Sequence, residues 1–82
     1  MNMDYDVMSD EILSSIGGRD NIKRVYHCIT RLRFELKDAS LYLPDKAEQI
    51  PDVAGVFIRF GEYQFVIGIE AGMIYKAILS RL

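Results

Sequence analysis

The stretch HCITRLRF, residues 27–34, holds the side chains of this 82-residue chain that are best suited to chemistry. Cys28 is its only cysteine and His27 its only histidine, and Arg31 and Arg33 follow close behind. Guanidinium groups stabilise a thiolate or a bound phosphoryl group. Two interpretations of Cys28 are open at this level: a buried apolar side chain, and a nucleophile whose reactivity the two arginines raise.

Spacing excludes several thiol chemistries. Thioredoxin-like exchange within the chain needs a second cysteine, and the sequence has none. A zinc site needs more ligands than the adjacent Cys28 and His27 supply. Cysteine-dependent phosphatases carry an arginine six residues after the cysteine, whereas this position holds Phe34, and a strand pattern follows in place of a glycine-rich loop. No metal or other cofactor is therefore expected.

Composition limits the class of protein and its compartment. Ten basic and twelve acidic residues give a net charge of -2, which lacks the basic footprint of a nucleic-acid-binding domain. No apolar run reaches the roughly 18 residues that a membrane span requires. The acidic start MNMDYDVMSDEIL has no positively charged signal region. We expect one small domain over residues 1–82 in a reducing, cytoplasmic setting.

Hydrophobic periodicity predicts a first helix and then a hairpin around the thiol. The helix positions are Met8, Ile12, Leu13 and Ile16, with Ser9 as the N-cap and Gly17 with Gly18 as the stop. In RLRFEL, residues 31–36, apolar and charged residues alternate, which is typical of a strand with one buried and one polar face. NIKRVY, residues 21–26, is the predicted partner strand, so HCIT lies at the hairpin connection.

The second half of the chain repeats this order. A short helix is predicted over residues 45–49, after Pro44. GVFIRF and YQFVIG flank the dipeptide Gly61-Glu62 and predict a second hairpin. A last helix is predicted from Ala71, Ile74, Tyr75, Ile78 and Leu82, through the end of the chain. The predicted fold is an α+β two-layer sandwich, a four-stranded antiparallel sheet with three helices on one face.

The segments GGRDNI, HCITRLRFELKD and GEYQFVIG, in this order, resemble the glucose-type enzyme IIB domain of the bacterial sugar phosphotransferase system. The resemblance runs from about residue 12 to about residue 79. Its histidine before the cysteine and its YQFVIG segment are most similar to the branch that handles sucrose, β-glucosides and trehalose. The family fold is a four-stranded antiparallel sheet with helices on one face, in agreement with the periodicity.

The resemblance implies a phosphoryl relay through Cys28. A phosphohistidine on enzyme IIA would donate its phosphoryl group to the thiol, which would pass it to a sugar held in the membrane domain, enzyme IIC. Thr30, Arg31 and Arg33 match the threonine and the two arginines of the C-x-T-R-L-R motif. The domain would then be tethered to the inner face of the cell membrane through enzyme IIC, and could be one piece of a longer IIBC or IIABC permease.

Two other polar residues are candidates for supporting roles. Consecutive residues of a strand point to opposite faces, so His27 is expected to be a structural or tuning residue and not the general base. Gln64 matches a polar position of the family's second hairpin. A side chain that lines the site and an ordinary exposed strand residue are both open interpretations for it.

The contact surface for partners is the least determined feature. Asp52, Phe60 and Glu62 depart from the family's usual IPGV and GGQYQVVIG segments. Ile29 shares strand parity with the arginines and is expected to point away from the core, unless a turn resets the parity and buries it. The alternative function is a regulatory or interaction module that keeps the fold without transferring phosphate.

Overall fold

The computed structural model describes residues 4–82, so residues 1–3 of the expected domain lie outside the described part. The elements are α1 Tyr5–Ser15, β1 Ile22–His27, β2 Arg31–Leu36, α2 Pro44–Glu48, β3 Gly55–Arg59, β4 Glu62–Val66 and α3 Ala71–Leu79, with short 3-10 turns at Arg19–Asn21 and Ala39–Leu41. The predicted order helix, hairpin, helix, hairpin, helix is confirmed. The α+β architecture, a four-stranded antiparallel sheet with three helices, is confirmed as well.

The sheet has the strand order β1-β2-β4-β3, which places the strand after the thiol at its centre. Leu32 lies opposite Phe65, and Phe34 lies opposite Tyr63. These four side chains are buried, and the rings of Phe34 and Phe65 meet edge to face at 5.7 Å. The intervening residues of β2 and β4 therefore share the other side, which we call the polar face: Arg31, Arg33, Glu35, Glu62 and Gln64.

The core forms between the apolar face of the sheet and the helices. Ile12 of α1, its C-cap Ile16, and Ile74 and Ile78 of α3 are fully buried in one cluster with the sheet residues. Burying a side chain of this size contributes about 1.5–3 kcal/mol. α1 packs against α3, α3 contacts β1 and β2, and α2 contacts α1 and β3. α3 thus packs on the central strand β2, and the core cluster includes the buried side chains of β2 and β4.

The first helix begins earlier than its sequence predicts. Its N-cap is Asp4, whose carboxylate accepts the backbone N–H groups of Asp6 and Val7 at 3.1 Å, so Ser9 is not the cap. Ser9 is buried within the helix, and its hydroxyl donates to the carbonyl of Tyr5. The helix starts at Tyr5, one turn before Met8, the first residue of the apolar pattern. The predicted N-cap was therefore placed too late in the chain.

The predicted stop of α1 at two glycines is confirmed. Gly17 and Gly18 follow the C-cap and have φ angles of 92° and 86°. The N–H of Gly18 donates to the carbonyl of Leu13 at 2.8 Å, the bond that closes a Schellman motif. A Cβ atom on Gly17 would lie 2.6 Å from Leu41 Cβ, so this turn requires glycine for its space as well as for its backbone angle.

The second hairpin turns one residue earlier than predicted. Its loop residues are Phe60 and Gly61, with φ angles of 52° and 76°, as in a type I′ turn, and Arg59 pairs with Glu62 across it. The predicted loop dipeptide Gly61-Glu62 is therefore wrong. Because of this register, Glu62 is a strand residue on the polar face.

Two helix ends also differ from the prediction. α2 spans Pro44–Glu48, with the proline in its first turn, where its missing N–H costs no hydrogen bond. α3 ends at Leu79, with Ser80 as the C-cap, and does not continue to Leu82. Within residues 4–82, no helix is both long enough and apolar enough to cross a membrane.

Candidate functional site

The thiol lies in a short loop, residues 28–30, that joins β1 to β2. The N–H of Cys28 donates to the carbonyl of Arg31 at 2.9 Å, which closes the loop. The carbonyl of Thr30 accepts the N–H groups of Ile67 and Gly68, both at 2.9 Å, which ties the loop to the segment after β4. The position of Cys28 is thus set by backbone bonds on both sides of the loop.

Hydrogen bonds around the sulfur favour the thiolate of Cys28. Arg33 Nη2 donates to Sγ at 3.5 Å, and the backbone N–H groups of Thr30 and Arg31 also point at it. The side-chain bond from Arg33, then the backbone bonds and the guanidinium charge, lower the pKa of the thiol from 9.0 to about 7, although partial desolvation opposes them. A large share of the sulfur is therefore ionised and nucleophilic near neutral pH.

Arg33 divides its donors between two acceptors. Besides the sulfur, it binds a carboxylate: Nη1 donates to Glu62 Oε1 at 2.9 Å. The two side chains are 29% and 18% exposed, so this ion pair is shielded from solvent more than a surface pair. In the described part of the chain, Arg33 Nε is buried without a hydrogen-bond partner.

Arg31 is held farther along the same face and does not contact the sulfur through its side chain. Its Nη1 donates to Gln64 Oε1 at 2.9 Å, and its guanidinium group lies 5.3 Å from the ring centroid of Phe57. Gln64 Nε2 in turn donates to Glu62 Oε1 at 2.7 Å. A continuous hydrogen-bonded chain thus runs from Arg31 through Gln64, Glu62 and Arg33 to the thiol.

The histidine next to the thiol belongs to a different environment. His27 Nδ1 lies 3.0 Å from the carbonyl oxygen of Cys28, and its ring packs at 4.6 Å against Tyr75 of α3. A Cβ atom on Gly72 would lie 3.3 Å from the His27 ring, so the helix approaches the imidazole closely. These contacts agree with a structural role for His27.

Comparisons with known proteins point to a single family. The model of the family described as phosphotransferase system, EIIB, matches residues 10–41. The chain is 43% identical over 77 residues to the PTS system beta-glucoside-specific EIIBCA component of Bacillus subtilis (strain 168), with 94% of the chain covered. It is 44% identical over 71 residues, 87% of its length, to the PTS system trehalose-specific EIIBC component of Escherichia coli (strain K12). The crystal structure of one domain of the PTS system IIabc component from Clostridium difficile matches with a TM-score of 0.81 and 33% identity, over 95% of this chain and 81% of that one.

The chain belongs to the enzyme IIB family of the phosphotransferase system. The resemblance inferred from the three motifs is confirmed, and the relatives include beta-glucoside-specific, trehalose-specific and sucrose-specific components. The chain spans 13% and 15% of the length of the B. subtilis and E. coli relatives, respectively.

The fold of the IIB domain brings together part of the predicted site directly. Cys28 and Arg33 are in contact, Thr30 contributes its backbone, and Arg31 is connected only through Gln64. Gln64 is 7% exposed, so the interpretation of it as an ordinary exposed strand residue is wrong.

Sequence reasoning did not assign Glu62 to the site of the IIB domain. It was noted only as a departure from the family pattern, and the predicted turn placed it in the hairpin loop. A turn at Phe60-Gly61 would have placed Glu62 diagonally across from Arg33, at the usual distance for an ion pair between strands.

Proposed function

We propose that this IIB domain is a phosphocarrier in sugar uptake, in which Cys28 accepts a phosphoryl group from a phosphohistidine of enzyme IIA and transfers it to a sugar bound in enzyme IIC. One observation carries the proposal: a half-buried thiol with a pKa of about 7 that accepts a hydrogen bond from a guanidinium group. This environment suits a residue that must be both a nucleophile and a leaving group.

The first step is an attack of the thiolate on phosphorus. The sulfur–phosphorus bond forms as the phosphorus–nitrogen bond of the donor breaks, and the released imidazole nitrogen keeps the electron pair and takes up a proton from solvent. Arg33 Nη2 already lies at the sulfur, so its charge is placed to stabilise the phosphoryl oxygens that arrive there.

The second step returns Cys28 to its starting state. A hydroxyl oxygen of the sugar attacks phosphorus, the sulfur–phosphorus bond breaks, and the thiolate leaves with the electron pair while the hydroxyl proton passes to a base or to solvent. The hydrogen bonds that lower the pKa of the thiol also make the thiolate a better leaving group.

The remaining predicted site residues take positioning or secondary roles in this proposal. Arg31 supplies a second positive charge that stabilises the phosphoryl group, and its hydrogen bond to Gln64 fixes the guanidinium group in place. Thr30 directs its backbone N–H at the sulfur and anchors the loop through its carbonyl. His27 supports the loop from the side of α3.

The partners approach, in this proposal, at the rim of the thiol loop. Ile29 is 81% exposed, as expected if it points away from the core, and Ile69 is 86% exposed on the segment that is bonded to Thr30. The three helices cover the apolar face of the sheet, which keeps the rim and the polar face free for docking. The IIB domain lies at the cytoplasmic side of the membrane next to a IIC domain, as the composition of its EIIBCA and EIIBC relatives supports.

The direct test follows the mass of the intact domain. The IIB domain is mixed with the general phosphotransferase proteins, a matching IIA and phosphoenolpyruvate, and we expect one phosphoryl increment on the wild type and none on Cys28→Ser. The variant should fold normally, because its hydroxyl is nearly isosteric, but a hydroxyl is far less ionised at neutral pH than a thiol. Omission of IIA is the matched control and should abolish the increment.

Three results of that experiment would contradict the proposal. These are phosphorylation of the serine variant, a phosphoryl group mapped to His27, and an unphosphorylated wild type in the presence of a IIA that labels another IIB domain. The last result would favour a regulatory or interaction module.

A further inference from the structure

The guanidinium group of Arg33 is shared between two anions, the thiolate of Cys28 and the carboxylate of Glu62. The contact with the carboxylate is the shorter one, 2.9 Å against 3.5 Å to the sulfur. The carboxylate is also fixed from a second side, because Gln64 donates to the same oxygen at 2.7 Å. Glu62 therefore holds the Arg33 guanidinium group through Nη1 in the unphosphorylated domain, while Nη2 contacts the sulfur.

Charge balance in the cluster changes when Cys28 is phosphorylated. Within the hydrogen-bonded chain that ends at the thiolate, two positive charges, Arg31 and Arg33, face two negative charges, Glu62 and Cys28. A phosphoryl group carries a charge of about -1.5 to -2 at neutral pH, so its attachment leaves the cluster with excess negative charge. The excess is poorly screened, because the carboxylate is only 18% exposed.

We propose that Glu62 is a positioning residue that restrains Arg33 and thereby weakens the hold of the site on the phosphoryl group of Cys28. This inference rests on the proposed phosphocarrier function. The carboxylate competes with the phosphoryl oxygens for the same guanidinium group, because it occupies Nη1 while only Nη2 lies at the sulfur, and it repels them electrostatically. Through Gln64, it also restrains Arg31, the second cation of the site.

The consequence is a higher tendency of phosphorylated Cys28 to give up its phosphoryl group. A carrier that binds phosphate too strongly cannot pass it on, so a carboxylate beside the cationic groups favours transfer to the sugar over storage on sulfur. The first step remains accessible, because Arg33 still contacts the sulfur and the loop N–H groups of Thr30 and Arg31 do not depend on Glu62.

Two other carboxylates on these elements have partners of their own. Glu35, opposite Glu62 in the sheet, pairs with Arg24 at 3.4 Å, and Glu70, just before α3, accepts the hydroxyl of Tyr5 at 3.0 Å. Arg59 of β3 lies directly opposite Glu62 and lines the same surface cavity as Glu62 and Arg33, so it is a third cation on this face. Glu35 is therefore a matched control: a carboxylate on the same face, next to Glu62, whose partner is not a site arginine.

The test compares Glu62→Gln, Glu62→Asp and Glu35→Gln with the wild type in two assays. The first measures the pKa of the thiol from the pH dependence of alkylation by iodoacetamide, which requires no phosphoryl transfer. The second measures the equilibrium between phosphorylated IIA and phosphorylated IIB by intact mass. Thermal melting verifies that each variant is folded, and Glu62→Ala is a second neutral variant if the glutamine variant is unstable.

We expect Glu62→Gln to lower the pKa of the thiol and to shift the phosphoryl equilibrium toward Cys28 by about tenfold, the factor that corresponds to one pKa unit. Glu62→Asp should restore values near wild type, because it keeps the charge, and Glu35→Gln should change neither quantity by more than about twofold. A purely structural role for Glu62 would lower the melting temperature without moving the pH profile.

The inference is overturned if the pKa of the thiol in Glu62→Gln stays unchanged or rises, or if the equilibrium does not move toward the phosphorylated domain. Failure of the proposed function gives a different pattern. In that case the domain accepts no phosphoryl group in any variant, and the proposed effect of Glu62 on the phosphoryl group is refuted as well. The alkylation profile still shows whether Glu62 changes the pKa of the thiol.

Discussion

Replacement of Arg33 by glutamine tests the electrostatic basis of the site. Arg33 supplies the largest contribution to the lowered pKa of the Cys28 thiol, which is about 7 in the folded domain. At pH 7 about half of the sulfur is then ionised. The backbone N–H groups of Thr30 and Arg31 remain in the variant and keep part of the effect, while desolvation opposes it.

From these contributions we expect the pKa of the thiol in Arg33→Gln to rise by about one unit. The ionised fraction at pH 7 would fall from about one half to about one tenth, so alkylation by iodoacetamide should slow about fivefold at that pH. Above about pH 10 both proteins carry a thiolate, and their rates should converge. Phosphorylation by IIA should fall by more than fivefold, because the arginine also stabilises the transferred group.

The same variant changes the pH dependence of stability in a defined direction. The folded thiol has a lower pKa than the ordinary value of 9.0, so the folded state binds fewer protons than the unfolded state between these values. Its stabilising contribution is complete above pH 9 and is lost as the pH falls through about 7. In Arg33→Gln, the loss should still begin near pH 9 but should be complete at a higher pH and be smaller in total, because only the folded pKa rises.

Arg24→Gln is the matched control for that experiment. Arg24 lies on the neighbouring strand and pairs with Glu35 at 3.4 Å, without contact to the sulfur. Its replacement should leave the alkylation profile unchanged. An unchanged pKa in Arg33→Gln, or an equal rise in Arg24→Gln, would refute the assignment of the lowered pKa to the Arg33 hydrogen bond.

Two further substitutions separate transfer from folding. Arg31→Gln should reduce transfer to the sugar at least about tenfold, while the free energy of unfolding changes by no more than about 0.5 kcal/mol, as is typical of surface substitutions. A large drop in melting temperature with transfer intact would show that Arg31 is structural. Ile29→Glu should melt like the wild type and slow IIA-dependent phosphorylation, because the side chain is 81% exposed beside the thiol. If melting and phosphorylation rate are both unchanged in Ile29→Glu, the docking surface does not include this residue.

The local pattern of the sequence was sufficient to place the thiol and its nearest strand. Alternation in RLRFEL assigns Leu32 and Phe34 to the core and both arginines to the opposite face, because side chains of a strand alternate between its two sides. The two glycines after α1 mark its end, because each adopts a positive φ that other residues rarely take. These features depend on neighbours in the chain, and a single sequence contains them.

The contacts between strands depended on the tertiary structure. The sequence does not distinguish a turn at Gly61-Glu62 from one at Phe60-Gly61, and a shift by one residue moves Glu62 from the loop to the polar face. Only the pairing of β2 with β4 decides that Arg33 meets Glu62 and that Arg31 is held by Gln64. The sequence by itself determined the one thiol of the chain and the strand face that Arg31 and Arg33 share, because these follow from residue identity and local periodicity. The tertiary structure decided which acceptors the guanidinium groups of Arg31 and Arg33 bind, because the acceptors Gln64 and Glu62 lie on a strand that is distant in the chain and are placed by its register with β2.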